Sequence, residues 1–392
     1  MNYTCASLDS LIVLIEELFP LPKKIQAKIP KDVAELSQQL TSARGNRHRT
    51  YLNDPRALTA YLRYFLPWNV YRLGMMLPNL SLPLQEGSRI ADLGAGPFTF
   101  ALALWIYCPE LRRLPLEFLC IDSSSPALEA GNRIIRAIGT SPWTMRAISK
   151  AVGGSAAWKP REKADLVCAL NFYNEQYWDL PHTRPLGEFA YRAGAYLSSL
   201  ATSEGAILVM EPGIPRSGEF IAALRGALIA KGYTPQAPCP HAGPCPCPGG
   251  KDPRGGNAKW CHFAGNTSDA PPALQKLSAA AGLPKDRVAY SYLLAGKAEA
   301  DPAPANMSSL KHGEDRIVVL AFSNTFPITG NPGQQSSELY GRYGCTEKGL
   351  ALITGRRAAL AGIAPGSRIA LRGGKNRDSK SGAWVFPLQG AP

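Results

Sequence analysis

Arg89-Ile-Ala-Asp-Leu-Gly-Ala-Gly-Pro97 is the stretch whose reading decides the fold of this chain. Its first six residues form a short apolar run of the kind that makes a buried strand. Pro97 to Tyr107 then continues as an apolar helix-forming segment, so strand passes into helix at the glycines. Gly94 and Gly96 allow the backbone to approach a ligand closely, and the start of the helix favours polar or anionic groups. The next strand, Leu116 to Ile121, ends on Asp122, 30 residues beyond Asp92. That interval suits one strand–helix–strand step, and an acid at that position is placed to accept hydrogen bonds from ribose hydroxyls.

Outward from this unit the alternation continues. Pro126 to Ile138 reads as a helix, Thr144 to Ile148 as strand three and Asp165 to Leu170 as strand four. Leu186 to Leu200 is helical, Ala206 to Met210 is strand five ending at Glu211, and Gly218 to Ala230 is its helix. Strands alternating with helices predict an α/β, doubly wound, Rossmann-like sheet. Arg287 to Leu294 and Arg316 to Phe322 fit the last two of seven strands. Residues 1 to 85 are expected to be helical, with apolar periodicity in Leu8 to Phe19, Asp32 to Leu40 and Tyr51 to Met76. Residues 236 to 270 are too rich in Pro, Gly and Cys for a helix or central strand, and read as an insertion between helix five and strand six. Beyond about residue 330, one helical piece near Gly349 to Ile353 and strands at Ser367 to Leu371 and Ala383 to Phe386 suggest a small β module. The expected division is a helical region 1–85, a catalytic-type domain 86–325 carrying the insertion 236–270, and a basic extension 326–392.

The chain has 392 residues, 45% of them hydrophobic, and a formal charge of +13. No stretch approaches the roughly 20 apolar residues of a membrane span, so no membrane partner is expected. The first apolar run lacks a preceding positive region, and no Arg-rich, acid-poor leader opens the chain, so a cytoplasmic bacterial protein is expected. The positive excess favours a polyanion such as RNA or DNA. It concentrates at the end: after Glu347 the one acid is Asp378, against Arg356, Arg357, Arg368, Arg372, Lys375, Arg377 and Lys380. Arg44 to Arg49 is a second basic stretch.

Nine cysteines in a reducing compartment read as metal ligands or catalysts before disulfides. Cys5, Cys108, Cys120 and Cys168 lie in apolar contexts and read as small buried hydrophobes. Cys239, Cys245, Cys261 and Cys345 can supply four thiolates to one metal centre. Proline follows Cys239, Cys245 and Cys247, stiffening the loop. The spacings do not match paired C-x2-C zinc ribbons. Soft thiolates select iron–sulfur clusters or zinc; a [4Fe–4S] cluster is the first reading and zinc the alternative. Cys247 can replace Cys245, and His241 or His262 can serve a zinc ion.

Asp92-Leu-Gly-Ala-Gly resembles the D-x-G-x-G motif of class I S-adenosylmethionine (SAM) methyltransferases. Asp92, Gly94, Gly96 and Asp122 are the residues expected to hold SAM. Phe98 stands close to the usual third glycine, where a bulky ring is expected to narrow the pocket. In such folds the end of strand four, here Asp165 to Asn171, lies near the methyl acceptor, so Asn171 and Tyr173 are the candidate catalytic residues. There is no N-P-P-Y tetrapeptide and no Pro-Cys nucleophile in this strand. Methyl transfer from a sulfonium requires mainly in-line placement of the acceptor.

A longer set of motifs is more specific. Glu211-Pro-Gly-Ile-Pro, Ala237-Pro-Cys-Pro-His, Pro244-Cys-Pro and Trp260-Cys-His-Phe, with Arg49-x-Tyr51, Ala60-Tyr-Leu-Arg-Tyr-Phe-Leu-Pro, Tyr290-Ser-Tyr-Leu and Gly344-Cys-Thr, resemble the small-ribosomal-subunit methyltransferase-like family. The resemblance covers roughly residues 49 to 350. It implies a class I methyltransferase fold, action on assembling small subunits and their rRNA, and a [4Fe–4S] cluster on Cys239, Cys245, Cys261 and Cys345. Lys251 to Lys259 is extra length between the second and third ligands. The protein is expected to be a monomer when free. The competing reading is a non-catalytic RNA-binding assembly factor that retains the fold; a third is a zinc-stabilised methyltransferase of small molecules or protein.

Overall fold

In the computed structural model the strands are β1 (Arg89–Leu93), β2 (Glu117–Asp122), β3 (Thr144–Ser149), β4 (Ala164–Leu170), β5 (Ala201–Pro212), β6 (Thr234–Ala237), β7 (Phe263–Asn266) and β8 (Arg287–Gly296), followed by β9 (Ile317–Ala321), β10 (Phe326–Pro327), β11 (Leu339–Thr346), β12 (Gly349–Arg356), β13 (Arg368–Leu371) and β14 (Trp384–Pro387). The structure describes residues 5–41, 51–139, 141–152, 158, 161–178, 180–181, 184–250, 258–297, 317–328 and 339–388. The basic stretch 44–49 and most of the extra length, 251–257, lie outside the described residues. Two compact units are formed, one from residues 1–181, 199–208 and 266–288, the other from 182–198, 209–265 and 289–392.

β1 is the centre of the first unit. It runs parallel to β2 and to β4, with Asp92 opposite Cys120 on one side and Cys168 on the other. Ile90, Ala91 and Leu93 are fully buried, as expected of a parallel strand covered on both faces. β3 extends β2 in parallel. The hydrogen-bonded order is β3-β2-β1-β4-β5-β8-β6, with β7 paired to β8, and β6 runs antiparallel to β8. This order, with a reversed pair at its edge, is that of a class I methyltransferase-type α/β sheet. The sheet has eight strands where seven were expected. β7 is the addition: Phe263–Asn266 lies within the stretch judged unable to form a central strand, and it forms off the main path.

The N-terminal helices are Leu8–Leu18, Lys23–Gln26, Ile29–Leu40, Pro55–Ala60 and Leu66–Met76. The last two are joined by a π-helical turn, Tyr61–Phe65. Trp68 and Tyr71 anchor helix Leu66–Met76: Trp68 Nε1 donates to Ser278 Oγ at 3.1 Å and Tyr71 Oη to the Asn266 carbonyl at 3.1 Å.

The second unit contains a six-stranded sheet of order β13-β9-β11-β12-β14, with β10 paired to β11. Ile317, Val319, Ala351, Ile353, Leu360 and Phe386 form its core. Three expectations are corrected here. Arg316 to Phe322 was assigned to the first sheet, but its described part, β9, pairs with β11 and β13. Gly349 to Ile353, expected as helix, is part of β12, held along its length by β11. The cysteine loop does precede Arg287–Gly296, but a strand the sequence did not suggest, β6, comes before it, so the loop runs from β6 to β7. A short apolar run identifies a strand without identifying its partner, which is how each displacement arises.

Candidate functional site

In the first unit, β1 ends in the turn Gly94–Pro97, and both Gly94 and Gly96 adopt positive φ, 72° and 51°. Gly94 and Ala95 donate backbone N–H groups to the Ile121 carbonyl at 2.8 and 3.1 Å, tying the turn to β2. Asp122 then braces it: Oδ2 accepts the Gly96 N–H at 2.9 Å and Oδ1 accepts the Ser124 N–H at 2.8 Å. A carboxylate has about four lone-pair sites, so Asp122 retains capacity for hydroxyl donors. Burial raises its proton affinity, and the backbone N–H groups of Ser124 and Gly96 oppose that rise. Asp92 is 3% exposed. Burial first, and the charge of Asp122 second, push its carboxyl up to about 7. Beside Gly96 there is open space where a Cβ would stand, whereas at Gly94 a Cβ would meet the Phe172 ring at 2.6 Å.

Phe98 does not narrow this cradle as expected. It takes a left-handed conformation, φ 61°, and is fully buried. Its ring turns into the core against Gly131 of helix Ser125–Ile138, where an added Cβ would lie 2.7 Å from Cγ. The backbone thus adopts a glycine-like conformation at the position of the missing third glycine while the ring packs into the core.

Asn171 and Tyr173 both follow β4. Asn171 also has positive φ, 55°. Tyr173 is 3% exposed and packs edge-on against Phe172 at 5.0 Å. Three residues that the sequence reading missed form a network with Asn171. Arg72 Nη1 donates to Asn69 Oδ1 at 2.7 Å, Asn171 Nδ2 donates to the same oxygen at 3.4 Å, and Asn69 Nδ2 donates to Tyr61 Oη at 3.3 Å. Burial, with Glu175 next, pushes the Tyr61 hydroxyl up to about 12; Asp122 adds to that rise, so this network reaches the Asp122 side. The signal available in the sequence was the polar spacing Tyr61, Asn69, Arg72 within an otherwise apolar helical stretch.

In the second unit, Cys239, Cys245, Cys247, Cys261 and Cys345 come together. Burial is the first cause that raises each thiol, and the sulfurs raise one another: Cys247 is influenced by all four others, Cys261 by Cys239, Cys345 and Cys245, and Cys345 by Cys239 and Cys245. Two arginines that the sequence reading did not single out for this loop bind it. Arg225, 4% exposed, donates through Nε to Cys239 Sγ at 3.2 Å and through Nη2 to the His241 carbonyl at 2.6 Å. Arg368 Nη2 donates to the carbonyls of Gln236, Pro238 and Cys239 at 2.7, 3.2 and 3.0 Å. His241 Nε2 lies 3.2 Å from Cys345 Sγ, and His262 instead stacks on Trp260 at 4.8 Å between ring centres. Trp260 is wedged against the helix after β5, where a Cβ on Gly218 would meet it at 2.6 Å, and Ser291 Oγ donates to the Cys261 carbonyl at 2.8 Å.

Among the described residues, no three or more His, Cys, Asp or Glu side chains are placed to hold a single metal ion. A lone zinc needs sulfurs converging at about 2.3 Å, whereas a cluster binds its thiolates at separate irons. The cysteines present are soft sulfur donors in buried surroundings, with the buried Arg225 guanidinium donating to Cys239.

The C-terminal cations divide by role. Arg356, Arg357, Arg372, Lys375, Arg377 and Lys380 are exposed, with Arg377 stacked over Trp384 at 4.1 Å. Arg368 is turned inward onto the cysteine loop and is not available to a polyanion. Among the described residues no helix is long and apolar enough to cross a membrane.

The family model described as mitochondrial small ribosomal subunit Rsm22 matches residues 86–321, more than half of the chain. No curated protein matches the chain significantly. Among solved structures, YjhP from E. coli is similar at 14% identity over 58% of this chain and 91% of that one, with a TM-score of 0.31. A Pyrococcus furiosus methyltransferase is similar at 12% identity over 43% of this chain and 73% of that one, TM-score 0.30. Phosphoethanolamine N-methyltransferase 2 of Haemonchus contortus, in complex with S-adenosyl-L-methionine, is similar at 11% identity over 65% of this chain and 61% of that one, TM-score 0.33. Overlaps of this extent leave the fold to be argued from the strand order itself.

Proposed function

Because this chain belongs to the mitochondrial small ribosomal subunit Rsm22 family, we propose that it is a SAM-dependent methyltransferase-like protein that acts on the small ribosomal subunit through its rRNA. The observation that carries the reading is the open cradle at Gly96, braced by Asp122. SAM supplies an electrophilic methyl group on a sulfonium. The positive-φ turn brings the Gly94 and Gly96 backbone close to the ligand, Asp122 accepts from ribose hydroxyls, and Asp92 holds a proton or a charge at the floor of the site according to pH. Asn171 and Tyr173, at the end of β4, orient the methyl acceptor.

Cys239, Cys245, Cys261 and Cys345 would hold a structural [4Fe–4S] cluster, which supplies a rigid four-point crosslink between the cysteine loop and β11. Arg225 and Arg368 hold the loop and balance the charge of the thiolates. Cys247 is the remaining thiol. Such a crosslink would shape an RNA-facing surface, with the exposed cations of the 326–392 extension contacting phosphates. The protein is read as a cytoplasmic monomer when free.

One observation favours the second reading, a non-catalytic assembly factor: the Phe172 ring lies directly over Gly94. Transfer of isotopically labelled methyl from SAM to small-subunit RNA, taken from cells lacking this protein, separates the two. Labelled RNA supports the enzyme. Unlabelled RNA that is nevertheless bound and assembled supports the factor.

A further inference from the structure

Lys285 stands at the edge of an aromatic wall. Its Nζ lies 5.6 Å from the centre of the Tyr64 ring and 5.8 Å from that of Trp68, within cation–π range. Both rings are buried and tied to the segment that leads to it: Trp68 Nε1 donates to Ser278 Oγ, and Tyr64 Oη donates to the Leu283 carbonyl at 3.3 Å. The Lys285 backbone is pinned as well, because Thr267 donates through Oγ1 to its carbonyl and through its backbone N–H to the Asp286 carbonyl at 3.2 Å. Arg72 follows Trp68 by one helical turn, and side chains at that spacing share a face. All of these residues belong to the first unit.

Two cations are thus gathered without an acid. Among the described residues neither Lys285 nor Arg72 makes an ion pair, the Lys285 ammonium makes no hydrogen bond, and Arg72 donates through Nη1 to Asn69 alone. Burial first, and the charge of Arg72 second, lower the Lys285 amine to about 8. A charge taken from water without a partner is costly. Both residues are partly exposed, so the missing counter-charge can come from outside the chain. A guanidinium fork beside an ammonium point charge suits the oxygens of a phosphate. Asn69 Oδ1, which accepts from Arg72, also accepts from Asn171 Nδ2, so the pair adjoins the end of β4. We propose that Arg72 and Lys285 form a phosphate site that holds one phosphodiester of the RNA strand presented to Asn171. The inference rests on the small-subunit RNA reading above and places one RNA contact in the first unit, apart from the basic extension.

The test is fluorescence anisotropy of a labelled oligouridylate of about ten nucleotides with the full-length protein over a range of salt. Lys285→Gln and Arg72→Gln should each weaken binding at least about fivefold, and Lys285→Arg should keep it. Because the two cations share one phosphate, the double variant should lose a salt slope of about 0.7, the value for one phosphate of a single strand. Lys24→Gln, an exposed control of the same charge change, should bind like the parent. Unchanged binding in Lys285→Gln overturns the inference, as does an equal loss in Lys24→Gln or a slope change near twice that expected. Displacement of the oligomer by micromolar inorganic phosphate at matched ionic strength would show a site for free phosphate and overturn the polynucleotide assignment. Weakened S-adenosylhomocysteine binding in Lys285→Gln with oligomer binding intact would assign the pair to a cofactor carboxylate and overturn it too. A parent protein that binds no oligomer at any salt overturns the RNA reading itself, whereas binding that ignores these variants overturns this site alone.

Discussion

The Phe98 ring occupies the space beside Gly131, so that a methyl group on Gly131 would stand 2.7 Å from Phe98 Cγ and 2.8 Å from the Pro97 carbonyl carbon. One of those neighbours is backbone and cannot rotate away. Gly131→Ala is therefore expected to destabilise the protein by about 1–3 kcal/mol, the usual result of overpacking, and to weaken SAM binding by displacing the Gly94–Phe98 turn. Thermal unfolding and ligand titration of the variant check both effects. An unchanged melting temperature would contradict this packing.

Asp122 accepts the Gly96 and Ser124 N–H groups. Asp122→Ala removes both acceptors and any hydrogen bond to ribose hydroxyls. SAM affinity is expected to fall at least about tenfold, consistent with loss of hydrogen bonds to a charged group, while Asp122→Asn, which keeps one acceptor, should fall less. Equilibrium binding of SAM to the two variants gives the comparison.

Asp92 predicts a pH signature. Burial, then Asp122, raise its carboxyl from the ordinary 3.8 to about 7. The folded state thus holds the proton more tightly than the unfolded chain. The stability this gives is complete below the ordinary value and is lost as pH rises through about 7. Asp92→Asn removes the cost of burying the charge, so it should melt higher than the parent protein at about pH 8 and nearly level with it at about pH 4. An offset that is the same at both pH values would show that Asp92 does not titrate in this range.

Arg225 is buried and its Nε donates to Cys239. Replacement of Cys239, Cys245, Cys261 or Cys345 by Ser should abolish iron and sulfide in anaerobically purified protein, whereas Cys247→Ser should retain them. Arg225→Met should load the cluster but lose it faster in air. Metal and sulfide analysis decides the set, and zinc without iron or sulfide in the parent protein would contradict it.

Arg357 and Arg372 are exposed on the basic extension, while Arg368 is committed to the carbonyls of the cysteine loop. Arg357→Glu and Arg372→Glu should weaken binding to small-subunit RNA and reduce the salt slope by about one for each phosphate no longer neutralised. Arg368→Ala should instead lower the stability of the cysteine loop. Salt titrations of RNA affinity, with melting curves for each variant, separate these roles.

The parts legible in the sequence are those whose cause is local. Arg89 to Gly96 declares its strand and turn because the apolar run and the glycines are adjacent, and Asp122 follows at the interval of one crossover. The orientation of Phe98 was not legible, because it depends on the absence of a side chain at Gly131 in the next helix. The polar network at Asn171 was hidden for the same reason: Asn69 and Arg72 lie about a hundred residues earlier and meet it only after folding. The five cysteines were visible as a set, but Arg225 and Arg368, which hold their loop, come from separate elements. Ile317–Ala321 showed its strand character and not its sheet, since its partners β11 and β13 come later in the chain.

The most direct test of the account is calorimetric titration of anaerobically purified protein with SAM. Micromolar, one-to-one binding that is lost in Asp122→Ala is the predicted result. No binding by folded, cluster-loaded protein would contradict the cofactor site and leave an assembly factor that has kept the methyltransferase fold without its chemistry.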